Sequence, residues 1–281
     1  MYLNELLKIL NEALPAETAM KGDRIGLQIQ SGQNKIKKLL ITLEITPEVV
    51  EEAQKHKTNC ILTFHPLIFL PLTEIHDNER VGNLATRLIK NDTAVISIHT
   101  AFDAYIEGTS RIFAEKLEIN AEISGFLQPD EKYEGRGMGI LLKSEKGIDQ
   151  DFLLERVSAV CGSPLRWCEG KKNNPLKKIA IVGGSGTSFM EQALAAEADA
   201  FITADITYHQ FHRVNGKMML IDPGHYEMEQ FVPEGLAKLL TEKAGNSLEL
   251  VINKRLTNPV RYYSSGRDYQ KEQINILQKL K

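Results

Sequence analysis

Residues 36–65, IKKLLITLEITPEVVEEAQKHKTNCILTFH, align without a gap to residues 176–205, LKKIAIVGGSGTSFMEQALAAEADAFITAD. Only Lys37/Lys177, Lys38/Lys178, Ile41/Ile181, Glu51/Glu191, Ala53/Ala193 and Thr63/Thr203 are identical, so the shared pattern says more than the identities. Each segment runs from a β-type apolar stretch through a turn and a helical stretch to a second apolar stretch. In the first copy Thr46 suits a helix cap and Pro47 the first helical position. Strand, crossover helix and strand imply parallel pairing and an α/β fold. Two related α/β lobes from an internal duplication are therefore expected, although such units also arise by convergence. The 140-residue offset makes His65 and Asp205 equivalent. Each falls just past a strand's carboxyl end, where α/β sheets bind ligands.

The rest of the chain fits around this pair. Leu3, Leu6, Leu7, Leu10 and Leu14 recur at helical spacing and predict a first amphipathic helix. KGDRIGLQIQSG reads as a loop and a small strand. A helix in ERVGNLATRLIKN, a strand in AVISIHT and a helix in TSRIFAEKL give a second α/β alternation. Beyond them, GMGILLKS predicts a strand, DQDFLLERVSAVCG a helix, LRWCEG a short strand and EGKKNNP a loop. The expected division is a first lobe over 1–125, a second over 126–260 and a helical tail over 261–281.

Composition excludes several classes. A length of 281 residues suits two domains or one large one, and 42% hydrophobic residues supply a substantial core. The net charge of −3 argues against a strongly basic nucleic-acid-binding domain. No run of eighteen apolar residues is present, which argues against a membrane-spanning helix. The amino-terminal MYLNELLKILNEALP lacks the basic start and cleavage site of a signal peptide. Cys60, Cys161 and Cys168 are the three cysteines, with no CxxC spacing. That suits a reducing cytoplasm and argues against disulfide frameworks and zinc ribbons. Any metal would be held mainly by histidines and carboxylates.

Histidines and acids gather at predicted strand ends. His65 precedes Pro66, which favours an extended strand exit. His99 and Asp103 follow the next strand. Asp103 has the chemistry of a cation ligand, and equally of a helix cap or turn residue. His225 and Glu229 follow KMMLID and the Pro223-Gly224 turn. A spacing of four puts them on one helical face, which suits zinc, iron or manganese. His209 follows TADIT and is a candidate acid–base group. Taken singly, His65, His99 and Asp103 are more often packed, surface or turn side chains, whereas the structural and functional readings of His209 and of the His225–Glu229 pair weigh equally. Gly183-Gly184-Ser185-Gly186 reads as a tight strand–helix turn rather than a P-loop, which would end in Lys-Ser/Thr.

Taken in order, these segments resemble the Nif-three-like dinuclear metal-centre family, also known as GTP cyclohydrolase I type 2 homologues. GDRIGL is similar to the family's WDNVGL segment, and ITLEITPEVVEEA to its first strand and helix. LTFHPLIFLPL resembles THHPLIF, ISIHTAFDA resembles HTNLDAA, FITADITYH resembles TGDIKYH, and IDPGHYEMEQ resembles DAGHYATE. The resemblance implies two related α/β lobes, a metal site in the cleft between them and a homohexamer. It gives His65, Asp103, His225 and Glu229 as metal ligands, with Glu229 as the natural bridge. His99 and Asp205 become residues that orient the ligands. Gly22, Arg24, Ala101 and Ala204 depart from the family's Trp, Asn, Asn and Gly. One departure touches the ligand set: the paired histidines become Phe64-His65, and phenylalanine cannot coordinate. One ion, two ions with water or Asp205 filling the gap, or no tightly held ion remain open. Four surviving ligands favour at least one.

The resemblance implies a divalent-metal-dependent hydrolase, acting on a nucleotide in the cyclohydrolase version. There His209 or Asp205 would move protons, and a phosphate would rest near Gly184–Gly186. The alternative is a non-catalytic metal-binding protein, regulatory or active in assembly, which the Phe64 departure favours.

Overall fold

The computed structural model describes residues 1–171, 175–263 and 269–279. Lys172, Asn173 and Asn174 of the expected polar loop lie outside the described residues, as do residues 264–268 and 280–281 of the expected tail.

In chain order the first elements are α1 (Leu3–Ala13), β1 (Gly26–Ile29), β2 (Lys38–Thr42), α2 (Pro47–His56), β3 (Cys60–Thr63), α3 (Arg80–Lys90), β4 (Ala94–Ser97) and the short α4 (His99–Asp103). Then come α5 (Thr109–Leu117), β5 (Glu122–Pro129), β6 (Gly137–Ile148), α6 (Gln150–Cys161), β7 (Arg166–Cys168), β8 (Leu176–Ile181), α7 (Met190–Ala195) and β9 (Ala200–Ile202). The chain continues through α8 (Tyr208–Val214), β10 (Met219–Asp222), α9 (His225–Glu229), α10 (Val232–Ala244), β11 (Glu249–Ile252) and α11 (Tyr269–Lys279). Among the described residues, no helix is long and apolar enough to cross a membrane.

Two compact units result, and neither is a continuous stretch of chain. One comprises Met1–Phe102 and Val232–Thr257; the other comprises Asp103–Phe231 and Asn258–Lys281.

The first unit holds a five-stranded sheet in the order β1-β4-β3-β2-β11. Strands β11, β2, β3 and β4 run parallel, and β1 is antiparallel at the edge. Every residue of β3 and β4 is buried, as expected for parallel strands covered on both faces. Leu40, Ile61 and Val95 pack with Val49, Ala53, Leu84 and Leu88 of the two flanking helices. Complete burial of such side chains contributes about 1.5–3 kcal/mol each. Thr46 caps α2, accepting from the Val49 N–H at 3.4 Å, with Pro47 in the first turn.

The second unit holds a six-stranded sheet in the order β5-β6-β8-β9-β10-β7. Its centre, β8-β9-β10, is parallel; β5, β6 and β7 add antiparallel edges. Alternate residues serve opposite faces. Ile179, Ile181, Ile202 and Ile221 pack towards α5 and α6, whereas Ala180, Phe201 and Leu220 pack towards α7.

The 140-residue correspondence extends to backbone detail. Leu39↔Cys60, Leu40↔Ile61 and Ile41↔Leu62 pair across β2 and β3; Ile179↔Ala200, Ala180↔Phe201 and Ile181↔Ile202 pair across β8 and β9. Lys57 and Glu197, which end the two helical stretches, both have φ of 55°. Asn59 Oδ1 accepts from Lys37 N at 3.2 Å, and Asp199 Oδ2 accepts from Lys177 N at 2.8 Å.

The end of β4 differs from the sequence expectation. The strand read through AVISIHT stops at Ser97, and His99 opens a helix instead. Asp23 explains the turn: its Oδ2 accepts from the Thr100 N–H at 3.1 Å and from the Thr100 hydroxyl. An otherwise unpartnered amide at a helix start is thereby satisfied from a distant loop.

Candidate metal centre

In the second unit, the carboxyl ends of three parallel strands supply one cluster. Asp205 follows β9 with φ of 57°, a left-handed conformation that turns it back over the strand end. His225 follows β10 and opens α9, and Glu229 ends that helix. The His225 Nδ1–H donates to Asp205 Oδ2 at 2.7 Å. His225 Nε2 lies 3.1 Å from Glu229 Oε2. Gly184, after β8, completes the enclosure: an added Cβ would overlap Glu229 Oε1 and stand 3.2 Å from His225 Nε2. The Ser185 side chain adds a hydrogen bond to Asp205.

Charge in this cluster favours a cation. Glu229 is buried, at 3% side-chain exposure. Burial opposes charge on His225, but the Glu229 and Asp205 carboxylates outweigh it and push its pKa up to about 11. The His225 hydrogen bond holds Asp205 below the usual carboxylate range against its own desolvation.

A divalent ion suits this donor set. With Nδ1–H given to Asp205, Nε2 is the nitrogen available to a metal, an arrangement common among metal-binding histidines. The 3.1 Å between His225 Nε2 and Glu229 Oε2 brings together one imidazole nitrogen and one carboxylate oxygen, donor types that zinc, iron or manganese would take.

The first unit presents histidines at its own strand ends. His65, after β3, donates Nδ1–H to Glu44 Oε2 at 3.1 Å. Arg80 holds that carboxylate through Oε1 at 3.0 Å and also bonds the Ile45 carbonyl at 2.8 Å. The His65 and Arg80 bonds outweigh Glu44's desolvation and lower its pKa. His99 donates Nδ1–H to Asp23 Oδ1 at 2.7 Å. Although burial raises the Asp23 pKa, bonds from His99 and Thr100 bring it down to about 2. Phe64 is fully buried, its ring centroid 5.0 Å from His65 and 5.4 Å from His99. Among the described residues, His65, His225 and Glu229 have the side-chain chemistry of a metal-binding group.

Comparison with known proteins gives these residues a setting. The sequence matches Duf34/NIF3 (NGG1p interacting factor 3) over residues 1–259. The chain belongs to the Duf34/NIF3 family.

Among relatives, a Clostridium perfringens protein named GTP cyclohydrolase 1 type 2 homolog is 30% identical over 264 residues, covering 93% of this chain and 100% of that protein. A Helicobacter pylori protein named GTP cyclohydrolase 1 type 2 is 31% identical over 259 residues, covering 92% of this chain and 98% of its own length. The fold is similar to the Staphylococcus aureus hypothetical protein SA1388, with a TM-score of 0.82 and 25% identity over 94% of this chain and 99% of that one. The mixed α/β architecture with two sheets accords with this Duf34/NIF3 membership.

The other residues singled out from sequence take distinct places. Asp103 is the half-buried last residue of α4. His209 is exposed on α8 with its ring 5.5 Å from that of Tyr208, and His212 lies 4.6 Å from the same tyrosine. Two site residues have no role in the sequence pattern: Glu44 and Asp23. GDRIGL marks Asp23 only as part of a segment, and the position of Glu44 two residues past β2 is its sole signal. Gly184 and Ser185, expected beside a phosphate, instead lie against Glu229 and Asp205.

Proposed function

We propose that this Duf34/NIF3 protein is a divalent-metal-dependent hydrolase acting on a nucleotide. The observation that carries the reading is the His225–Glu229 pair: an imidazole fixed by Asp205 beside a buried carboxylate at the ends of parallel strands. The name of the Helicobacter pylori relative supports a cyclohydrolase reaction.

In this reading His225 and Glu229 hold the ion, with His65 and Asp103 as further ligands in the cleft between the lobes. Zinc, iron or manganese fits imidazole and carboxylate donors, at one or two ions per chain. Such an ion supplies a water of pKa about 7 and polarises the bond to be cut. Asp205 keeps the His225 proton on Nδ1 and Nε2 directed at the site. Glu44 does the same for His65, with Arg80 fixing the carboxylate. His209, exposed on α8, is the proposed proton carrier, with Asp205 as its partner in that role. The active assembly is a homohexamer in the cytoplasm, and the two lobes descend from a duplication. The matched registers and the shared left-handed residues Lys57 and Glu197 support that descent.

A second reading, a non-catalytic metal-binding protein with a regulatory or assembly role, draws on Phe64, whose buried ring replaces an imidazole of the family pattern.

Elemental mass spectrometry of untagged protein, followed by nucleotide hydrolysis with the metal restored, tests both. The hydrolase reading expects about one or two ions per chain and turnover that His225→Ala removes together with the metal. Bound metal without turnover supports the second reading. Absence of metal after exposure to zinc, iron and manganese overturns both.

A further inference from the structure

Helix α9 carries two proposed metal ligands on five residues, too few to hold a helical shape unaided. Its cap residue, Gly224, gives it no side-chain hydrogen bond. Glu227, between the two ligands, is 2% exposed and points into the second unit. Three side chains converge on its carboxylate. Asn258 donates to Oε1 at 2.8 Å and Gln273 donates to the same oxygen at 2.6 Å. The Tyr262 hydroxyl supplies a third hydrogen bond. Gly224 makes room for this cluster: an added Cβ would overlap Glu227 Oε2 and come 2.8 Å from the Tyr262 hydroxyl oxygen.

All three donors come from the chain after residue 257, and Tyr262 and Gln273 lie beyond the family match, which ends at residue 259. Gln273 is buried on α11, and Ile276, three residues on and on the same helical face, packs against the core that contains Met228 and Phe231. The helix thus has an apolar anchor beside its polar contact. Hydrogen bonds that satisfy a buried polar group hold it rigidly. They fix the rotation of α9 about its axis, and with it the directions of His225 and Glu229.

We propose that the carboxyl-terminal segment positions the metal site: Asn258, Tyr262 and Gln273 act through Glu227 to set α9. The proposal rests on the reading of His225 and Glu229 as metal ligands. Tyr262→Phe and Gln273→Leu each remove one donor and leave every proposed ligand in place. Both variants, wild type and His225→Ala are titrated with zinc, and their cobalt-loaded visible spectra are recorded at a temperature where circular dichroism shows all four folded. Zinc affinity is expected to fall about tenfold in each donor variant, the range for losing a partner outside the ligand set. The cobalt bands should shift or weaken with it, a change that lower global stability alone does not produce. Wild-type affinity and bands in both donor variants, with binding lost in His225→Ala, overturn the positioning role alone. Unaltered zinc binding in His225→Ala overturns the metal reading, and this proposal falls with it.

Discussion

Gly184 lies so close to Glu229 that a Cβ on the glycine would overlap the carboxylate oxygen Oε1. The glycine also has φ of 61°, which a side chain disfavours. Gly184→Ala should therefore displace Glu229 and strain the turn after β8. A loss of about 1–3 kcal/mol is expected from overpacking, with weaker metal binding. Thermal denaturation and zinc titration check both effects, and wild-type values in both would show that Glu229 does not depend on this space.

Asp205 holds the His225 ring by its Nδ1–H. Asp205→Asn weakens that hold without removing a proposed ligand. About a tenfold loss of zinc affinity is expected, with little change in melting temperature because Asp205 is half exposed. Isothermal titration beside a melting curve separates the two. A full stability loss with affinity intact would make Asp205 structural only.

Asp23 predicts a pH dependence. Its folded pKa of about 2 lies below the ordinary 3.8. A depressed carboxyl pKa gives stability that is complete above the unfolded value and lost as pH falls towards the folded one. The contribution is about 2 kcal/mol at neutral pH, lost between about pH 4 and pH 2. Asp23→Asn should remove it, so wild type and variant should differ in urea midpoint at pH 6 and converge near pH 2. A constant difference across that range would contradict the assignment.

Phe64→His returns an imidazole beside His65 and His99 at a fully buried position. An unpaired polar ring there costs about 1–3 kcal/mol. Without metal the variant should melt lower than wild type. Added zinc should restore more stability to it than to wild type, and elemental analysis should show more metal per chain. Unchanged metal content would mean that position 64 no longer reaches a metal.

Local signals in the sequence carried much of the fold. Thr46-Pro47 announced α2 because capping and proline geometry act within one turn. The spacing of His225 and Glu229 was legible because helical periodicity alone puts them together. β11 left no comparable mark: Glu249 pairs with Lys38, a contact made by chain folding rather than neighbouring residues. The antiparallel strand β5 went unread because its EISGFLQP sequence mixes exposed and buried positions around a register shift near Gly125. The carboxylate partners of His65 and His99 were hidden for the same reason as β11, since Glu44 and Asp23 meet them only through tertiary structure. Phe64 stood out in sequence as a lost ligand; its complete burial gives the side chain a packing role as well.

The chain leaves the first unit after Phe102 and returns to it at Val232. Only then does it make β11, which pairs with β2 and completes the sheet order. During synthesis the ribosome therefore delivers β8, β9, β10 and α9 before the last strand of the first sheet. Until that strand emerges, β2 waits as an open edge, and apolar strand edges of this kind invite pairing with other chains. Neither unit can be obtained by a single cut, so a fragment ending at Phe102 would carry the open edge permanently.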